Sequence, residues 1–194
     1  MHLESLLAPD AIAAGLNAEF PGDEWSGYHL RPSTLRPEDL EEVEGELGAR
    51  LPMSFRQELL RWDLGDFSLG NVWFGSDGDY LGMLRRQNVS EPSAPRWWGG
   101  GERPSSTLLI GATDGYLVLL DLVSGSVLAM SRSRSIESAN QVAENLELLI
   151  RGLGTLFLGR EGSTDPHQLA SEIAVAAGGS AGSAFWTDLA LGIS

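Results

Sequence analysis

The chain has 194 residues, 42% of them hydrophobic, no cysteine, and thirteen basic residues against twenty-seven acidic ones, for a formal net charge of −14. That length supports one full core burying roughly 70% of the unfolded surface, and the lack of cysteine excludes disulfides, thiol catalysis and Cys-ligated zinc. Every basic side chain is an arginine, which excludes lysine Schiff-base chemistry, and no apolar run approaches the ~20 residues of a membrane-spanning helix.

Ala8-Pro9-Asp10 opens a first helix in which Ile12, Leu16 and Phe20 recur on one face, and Pro21-Gly22-Asp23 ends it. Residues 24–34 read as a loop. Pro37 suits the first turn of a second helix, where Leu40, Val43 and Leu47 share a face. Gly48 stands where a helix wants a left-handed residue. Leu51-Pro52 starts a third helix whose buried stripe is Phe55, Leu59 and Trp62. After Gly65 the pattern shortens to β-like runs. Asn71 to Gly75 and Tyr80 to Leu84, flanking Ser76-Asp77-Gly78-Asp79, predict a hairpin. Residues 85–106, with Pro92, Pro95, Pro104 and Gly99 to Gly101, predict a long loop.

The clearest β signal follows. Thr107 to Thr113, Tyr116 to Val123 and Ser126 to Met130, joined at Asp114-Gly115 and Ser124-Gly125, predict a three-stranded meander. Leu117 to Leu120 is continuously apolar, so that strand is expected at the centre with both faces covered. Ser138 with Gln141 predicts a capping box for a helix at 138–151, punctuated by Gly152 and Gly154. Asp165-Pro166 opens a further helix with Leu169, Ile173 and Ala177 on one face, stopping at Gly178-Gly179. Phe185, Trp186 and Leu189 predict a short helix packing back on the body. The expectation is one α+β domain over residues 1–194: an antiparallel sheet of about five strands flanked by N-terminal and C-terminal helices.

Catalytic constellations do not assemble from the sequence. Gly178-Gly179-Ser180-Ala181-Gly182 matches a nucleophile elbow in form, but a helix precedes it and no histidine follows; it reads as a flexible link. His2, His29 and His167 are isolated, without the paired spacing of a metal site. Asp77-Gly78-Asp79 lacks the spaced oxygen ligands and terminal glutamate of a calcium loop. Glu38, Glu42 and Glu46 share one helical stripe and read as a solvated face. No metal, cofactor or catalytic residue is therefore expected.

Aromatic residues beside acids are more informative. Trp62-Asp63, Asp66-Phe67, Trp73, Asp79-Tyr80 and Trp97-Trp98 gather between the third helix and the central loop. Trp62 and Trp73 are core candidates, whereas consecutive tryptophans in a Pro/Gly-rich loop cannot both turn easily into a core. Tryptophan and tyrosine dominate interface hot spots, and an acidic rim suits a basic partner. The negative charge disfavours nucleic acid, whose binding depends on neutralising phosphates, and speeds encounters with basic partners by ~10- to 10³-fold.

Several of these segments together resemble the SUKH superfamily, which includes yeast cell-wall-synthesis regulators and bacterial immunity proteins that neutralise toxins. Its signature is an acidic helix ending in Glu-x-x-Leu-Gly, then Leu-Pro, an aromatic-Arg pair, a short helix and a Gly-containing turn. The matching residues are Glu44 to Gly48, Leu51-Pro52, Phe55-Arg56 and Leu64-Gly65-Asp66. In the second half, Leu108 to Gly111, Leu117 to Asp121, Ser124-Gly125 and Val127 are similar to the family's strand pair, and Val142-Ala143, Leu146, Leu149 and Leu153 to its closing helix.

The resemblance covers about residues 33–153, leaving helical extensions at 1–32 and 155–194. It implies a non-enzymatic immunity protein that binds a cognate, basic toxin, a nuclease being one candidate. The carboxylates of Asp63, Asp66, Asp77 and Asp79 would hold that partner's Arg and Lys. Trp73, Tyr80, Trp97 and Trp98 would supply contact area. A regulatory scaffold for an endogenous protein and a small-ligand site in a groove of the sheet are the alternatives. With His2 and Glu4 where a secretion signal wants basic residues, the expected location is cytoplasmic. The missing lysine and abundant Ala and Gly suggest a bacterial source.

Overall fold

The computed structural model describes residues 5–75, 77–89, 96–160 and 165–192. Helix α1 (Pro9–Glu19) is followed by a 3-10 turn (Asp23–Tyr28) and strand β1 (Arg31–Pro32). Helices α2 (Pro37–Leu47) and α3 (Met53–Arg61) lead into β2 (Trp62–Asp63), which pairs antiparallel with β1. Then come β3 (Ser68–Leu69), β4 (Val72–Trp73), α4 (Tyr80–Asn88), β5 (Thr107–Ala112), β6 (Tyr116–Asp121), β7 (Val127–Ser131) and β8 (Asn140–Ala143). Helices α5 (Leu146–Gly159), α6 (Pro166–Ala176) and α7 (Ser183–Leu191) follow. Strands β3 to β8 form one antiparallel six-stranded sheet in chain order. The architecture is α+β, with helices from both ends flanking the sheet, as the sequence predicts.

The α2–α3 unit forms as its residues require. Gly48 ends α2 in the left-handed region at φ 62°, where a Cβ is disfavoured. Leu40, Val43, Leu47, Phe55 and Leu59 are buried. Glu44 is buried too, 4% exposed. Its carboxylate accepts the Leu51 N–H at 2.9 Å, Arg50 at 2.9 Å and Arg56 at 2.8 Å. Burial would raise its pKa, but these donors outweigh that and hold it below the usual carboxylate range. One acid thus fastens the end of α2 to the turn and to α3, so the Glu-x-x-Leu-Gly, Leu-Pro and aromatic-Arg segments form a single bonded corner.

Several expectations are corrected. The predicted second hairpin strand, Tyr80 to Leu84, is the start of α4. Asp79 caps that helix by accepting the Gly82 N–H at 2.7 Å, and Tyr80, Leu81 and Leu84 share its buried face. Residues 85–88 of the predicted loop are therefore helical, and its residues 90–95 lie outside the described residues. Ser138 and Gln141 do not cap a helix: the chain pairs as β8 against β7, with Val142 and Ala143 in that strand. Helix α5 starts at Leu146, with Asn145 accepting the Leu148 N–H at 2.9 Å. Gly152 and Gly154 lie inside α5 because neighbours need the space. A Cβ on Gly152 would sit 2.5 Å from the Trp186 ring, and one on Gly154 2.6 Å from Ile12. The link at 178–182 is tightly packed against β8, with Gly182 buried.

The sheet has two apolar faces because β6 is central and buried on both. Val118 and Leu120 join the main core with α1, α3 and α5, while Leu117 and Leu119 join a second cluster with Leu109, Ala112 and Met130. A bulge in β5 between Leu109 and Gly111 reverses the alternation beyond it, which puts Ala112 on the second face. The C-terminal helices close the main core: Phe185 and Trp186 are buried, and the Trp186 indole donates to the Val142 carbonyl at 3.0 Å.

Candidate functional site

The four aspartates singled out in the sequence meet at one place. The loop after β2 and the turn before α4 approach so closely that a Cβ on Gly65 would lie 2.5 Å from the Gly78 backbone. Asp66 accepts the Gly78 N–H at 2.7 Å, and Asp63 accepts the Gly65 N–H at 2.8 Å. Asp77 adopts φ 64° in the turn, and Asp79 caps α4. All four are exposed. A cleft of about 290 Å³ beside them adds Asp39 and Glu42 from α2, with Arg85 from α4. Arg85 pairs with Glu46, and Glu42 lies 3.6 Å away. Each aspartate therefore has a local backbone or turn task and is exposed, and Asp79 also lies 3.7 Å from Arg86.

The tryptophans lie elsewhere. Trp73, 38% exposed, and half-buried Trp97 line a groove of about 560 Å³ across the second sheet face. Its floor includes Leu109, Leu117 and Met130 from three adjacent strands, and α4 gives Met83 and Gln87. Trp97 packs edge-on against Trp98 with ring centroids 5.5 Å apart, and its indole donates to Asn88 at 3.2 Å. Asn88 is buried and spans β5, receiving the Leu109 N–H at 2.7 Å and donating to its carbonyl at 2.8 Å. Trp98, half-buried, donates to the Gly101 carbonyl at 3.3 Å. Arg96, Arg132 and Arg134 complete the groove, and none of its lining residues is acidic.

Tyr80 is the one candidate that burial removes from the surface. It is 4% exposed, its hydroxyl donates to the Ile110 carbonyl at 3.0 Å, and burial pushes its pKa far up. The single aromatic-acidic cluster expected from sequence is thus two surfaces, joined along the chain by the segment 73–79. Sequence reasoning missed the groove arginines. Their one local signal is the alternation Ser131-Arg132-Ser133-Arg134-Ser135 at the end of a strand. Among the described residues, no group of three or more His, Cys, Asp or Glu is placed to hold a metal ion. No helix there is long and apolar enough to cross a membrane.

The helix-flanked antiparallel sheet, entered through the Glu44-bonded corner, carries the acidic junction and the groove on its surface. The pattern of the SMI1 / KNR4 family (SUKH-1) matches residues 34–152, and the chain belongs to that family. Among curated proteins none matches it at a significant level. The family is generally non-catalytic, and membership is consistent with an immunity-type or regulatory protein.

Proposed function

We propose that this chain is an immunity-type protein that neutralises a cognate toxin by binding it, with the junction of Asp63, Asp66, Asp77 and Asp79 facing a basic surface of that toxin. The observation that carries the reading is that two loops, on either side of the β3–β4 hairpin, bring four exposed carboxylates together on a SUKH scaffold. Asp39 and Glu42 extend the same sign of charge along α2. Such a surface steers a basic partner and sets its orientation, and its largest effect is on the association rate. A nuclease that grips phosphate with Arg and Lys is the kind of toxin it suits.

Asparagine retains a side-chain oxygen for the turn and cap bonds while removing charge. The test is therefore a pull-down from source cells with wild type and with the Asp63→Asn/Asp66→Asn/Asp77→Asn/Asp79→Asn variant, read by mass spectrometry. The reading expects a basic toxin domain on the wild type that is strongly depleted from the variant. Equal capture of one partner by both would reject the site. Capture of only housekeeping cytoplasmic proteins would favour the regulatory scaffold.

A further inference from the structure

Thirteen arginines serve a chain with twenty-seven acids, so an arginine without a carboxylate is unusual here. Seven of them (Arg36, Arg50, Arg56, Arg61, Arg85, Arg86 and Arg151) are ion-paired. Among the described residues the other six have no ion-pair partner, and three of those six, Arg96, Arg132 and Arg134, converge on the groove. Two of them donate to neutral backbone oxygens: Arg96 to the Gly101 carbonyl at 3.2 Å and Arg132 to the Thr113 carbonyl at 3.0 Å. The groove's described lining is thus positive and without a carboxylate on a molecule of net charge −14, with an apolar floor and two tryptophans.

We infer that this groove binds an extended acidic segment of a protein partner, its carboxylates held by Arg96, Arg132 and Arg134 and an apolar side chain seated between Trp73 and Trp97. Three observations favour that occupant. Guanidinium groups match carboxylates in charge and in paired donor geometry. The floor crosses β5, β6 and β7, so its apolar residues repeat in the direction an extended chain would run. A second copy of this chain is disfavoured as occupant by self-repulsion at this net charge. The contact is opposite in sign to the acidic junction and does not depend on it.

The probes are ten-residue peptides in which Leu and one Phe alternate with Glu, with Gln or with Lys. Binding is followed by calorimetry, and the location by tryptophan fluorescence, the peptides having no tryptophan. The Glu peptide should bind about ten-fold more tightly than the Gln peptide and weaken with added salt, since charge-assisted hydrogen bonds supply the difference. The Lys peptide should not bind.

Arg132→Gln/Arg134→Gln should lower affinity for the Glu peptide about ten-fold with an unchanged circular dichroism spectrum, as charged contacts are lost. Arg96→Gln, made at a separate loop, should lower it as well. The four-Asp→Asn variant should bind the Glu peptide undiminished, which separates this site from the proposed toxin surface. Equal binding of Glu and Gln peptides, indifference to the arginine variants, or no binding of the Glu peptide would overturn the inference. So would tighter binding of ATP at the same tryptophans, or a dimer in light scattering that the arginine substitutions dissolve.

Discussion

Removing the Glu44 carboxylate tests the physical basis of the corner that carries the family signature. In Glu44→Ala, Arg56 loses the acid 2.8 Å away and the Leu51 N–H loses its acceptor. Breaking a buried pair costs about 3–5 kcal/mol. The Arg50 share is small, because that side chain is 85% exposed and stays hydrated when the acid is gone. Arg56, 17% exposed, and the orphaned Leu51 N–H account for most of the loss, about 3 kcal/mol. For a chain of this size each kcal/mol moves Tm by about 2–4 °C, so the melting temperature should fall by about 6–12 °C.

Differential scanning calorimetry of Glu44→Ala, Arg56→Ala and the double variant measures both the loss and the coupling. The double variant should be less destabilised than the sum of the singles, because the one guanidinium it leaves unpaired, Arg50, is exposed. The folded-state pKa of Glu44 is depressed. Its stabilisation is therefore present above the unfolded-state value and disappears as pH falls through the folded one, so wild type and variant should converge in acid. A Tm change under 2 °C at neutral pH, or strict additivity, would refute the reasoning.

Glu58 should behave in the opposite sense: it is 7% exposed, its Oε2 has no hydrogen-bond partner among the described residues, and burial, then the Glu147 charge, raise its pKa. A raised carboxylate pKa means stability declines as pH rises from the unfolded-state value through the folded one, so Glu58→Gln should raise Tm at neutral pH and lose that advantage in acid. Two helical glycines should respond with opposite signs in thermal melts. Gly45→Ala in α2 meets nothing within 4 Å and should stabilise by about 0.5–1 kcal/mol, whereas Gly152→Ala meets Trp186 and should destabilise. Asp79→Ala removes the α4 cap and should cost about 1 kcal/mol in chemical denaturation, with Asp79→Asn close to wild type.

What the sequence made legible follows from locality. The α2–α3 unit, the β5–β7 meander, and the α6 and α7 helices each carry their signal within one continuous stretch of chain, and each formed. Tyr80 to Leu84 misled because the Asp77-Gly78 turn and an aromatic start look like a hairpin, while Asp79 capping Gly82 and the Leu81–Leu84 spacing select a helix. Strand β8 was hidden because its pairing with β7 is tertiary and overrides the local Ser138/Gln141 signal. Gly152 and Gly154 read as breakers until Trp186 and Ile12 show what they admit. The aspartates were visible as residues, but their meeting depends on the Gly65–Gly78 approach. The groove collects residues from β4, α4, three further strands and three loops, and a bulge decides which face Ala112 takes. No local pattern encodes that.

The central claim is that the aspartate junction neutralises a toxin, and a co-expression growth assay with the captured partner domain tests it most directly. The wild type is predicted to restore growth, and the four-Asp→Asn variant, folded to the same melting profile, to fail. Growth restored equally by both, or a partner that is harmless when expressed alone, would contradict it.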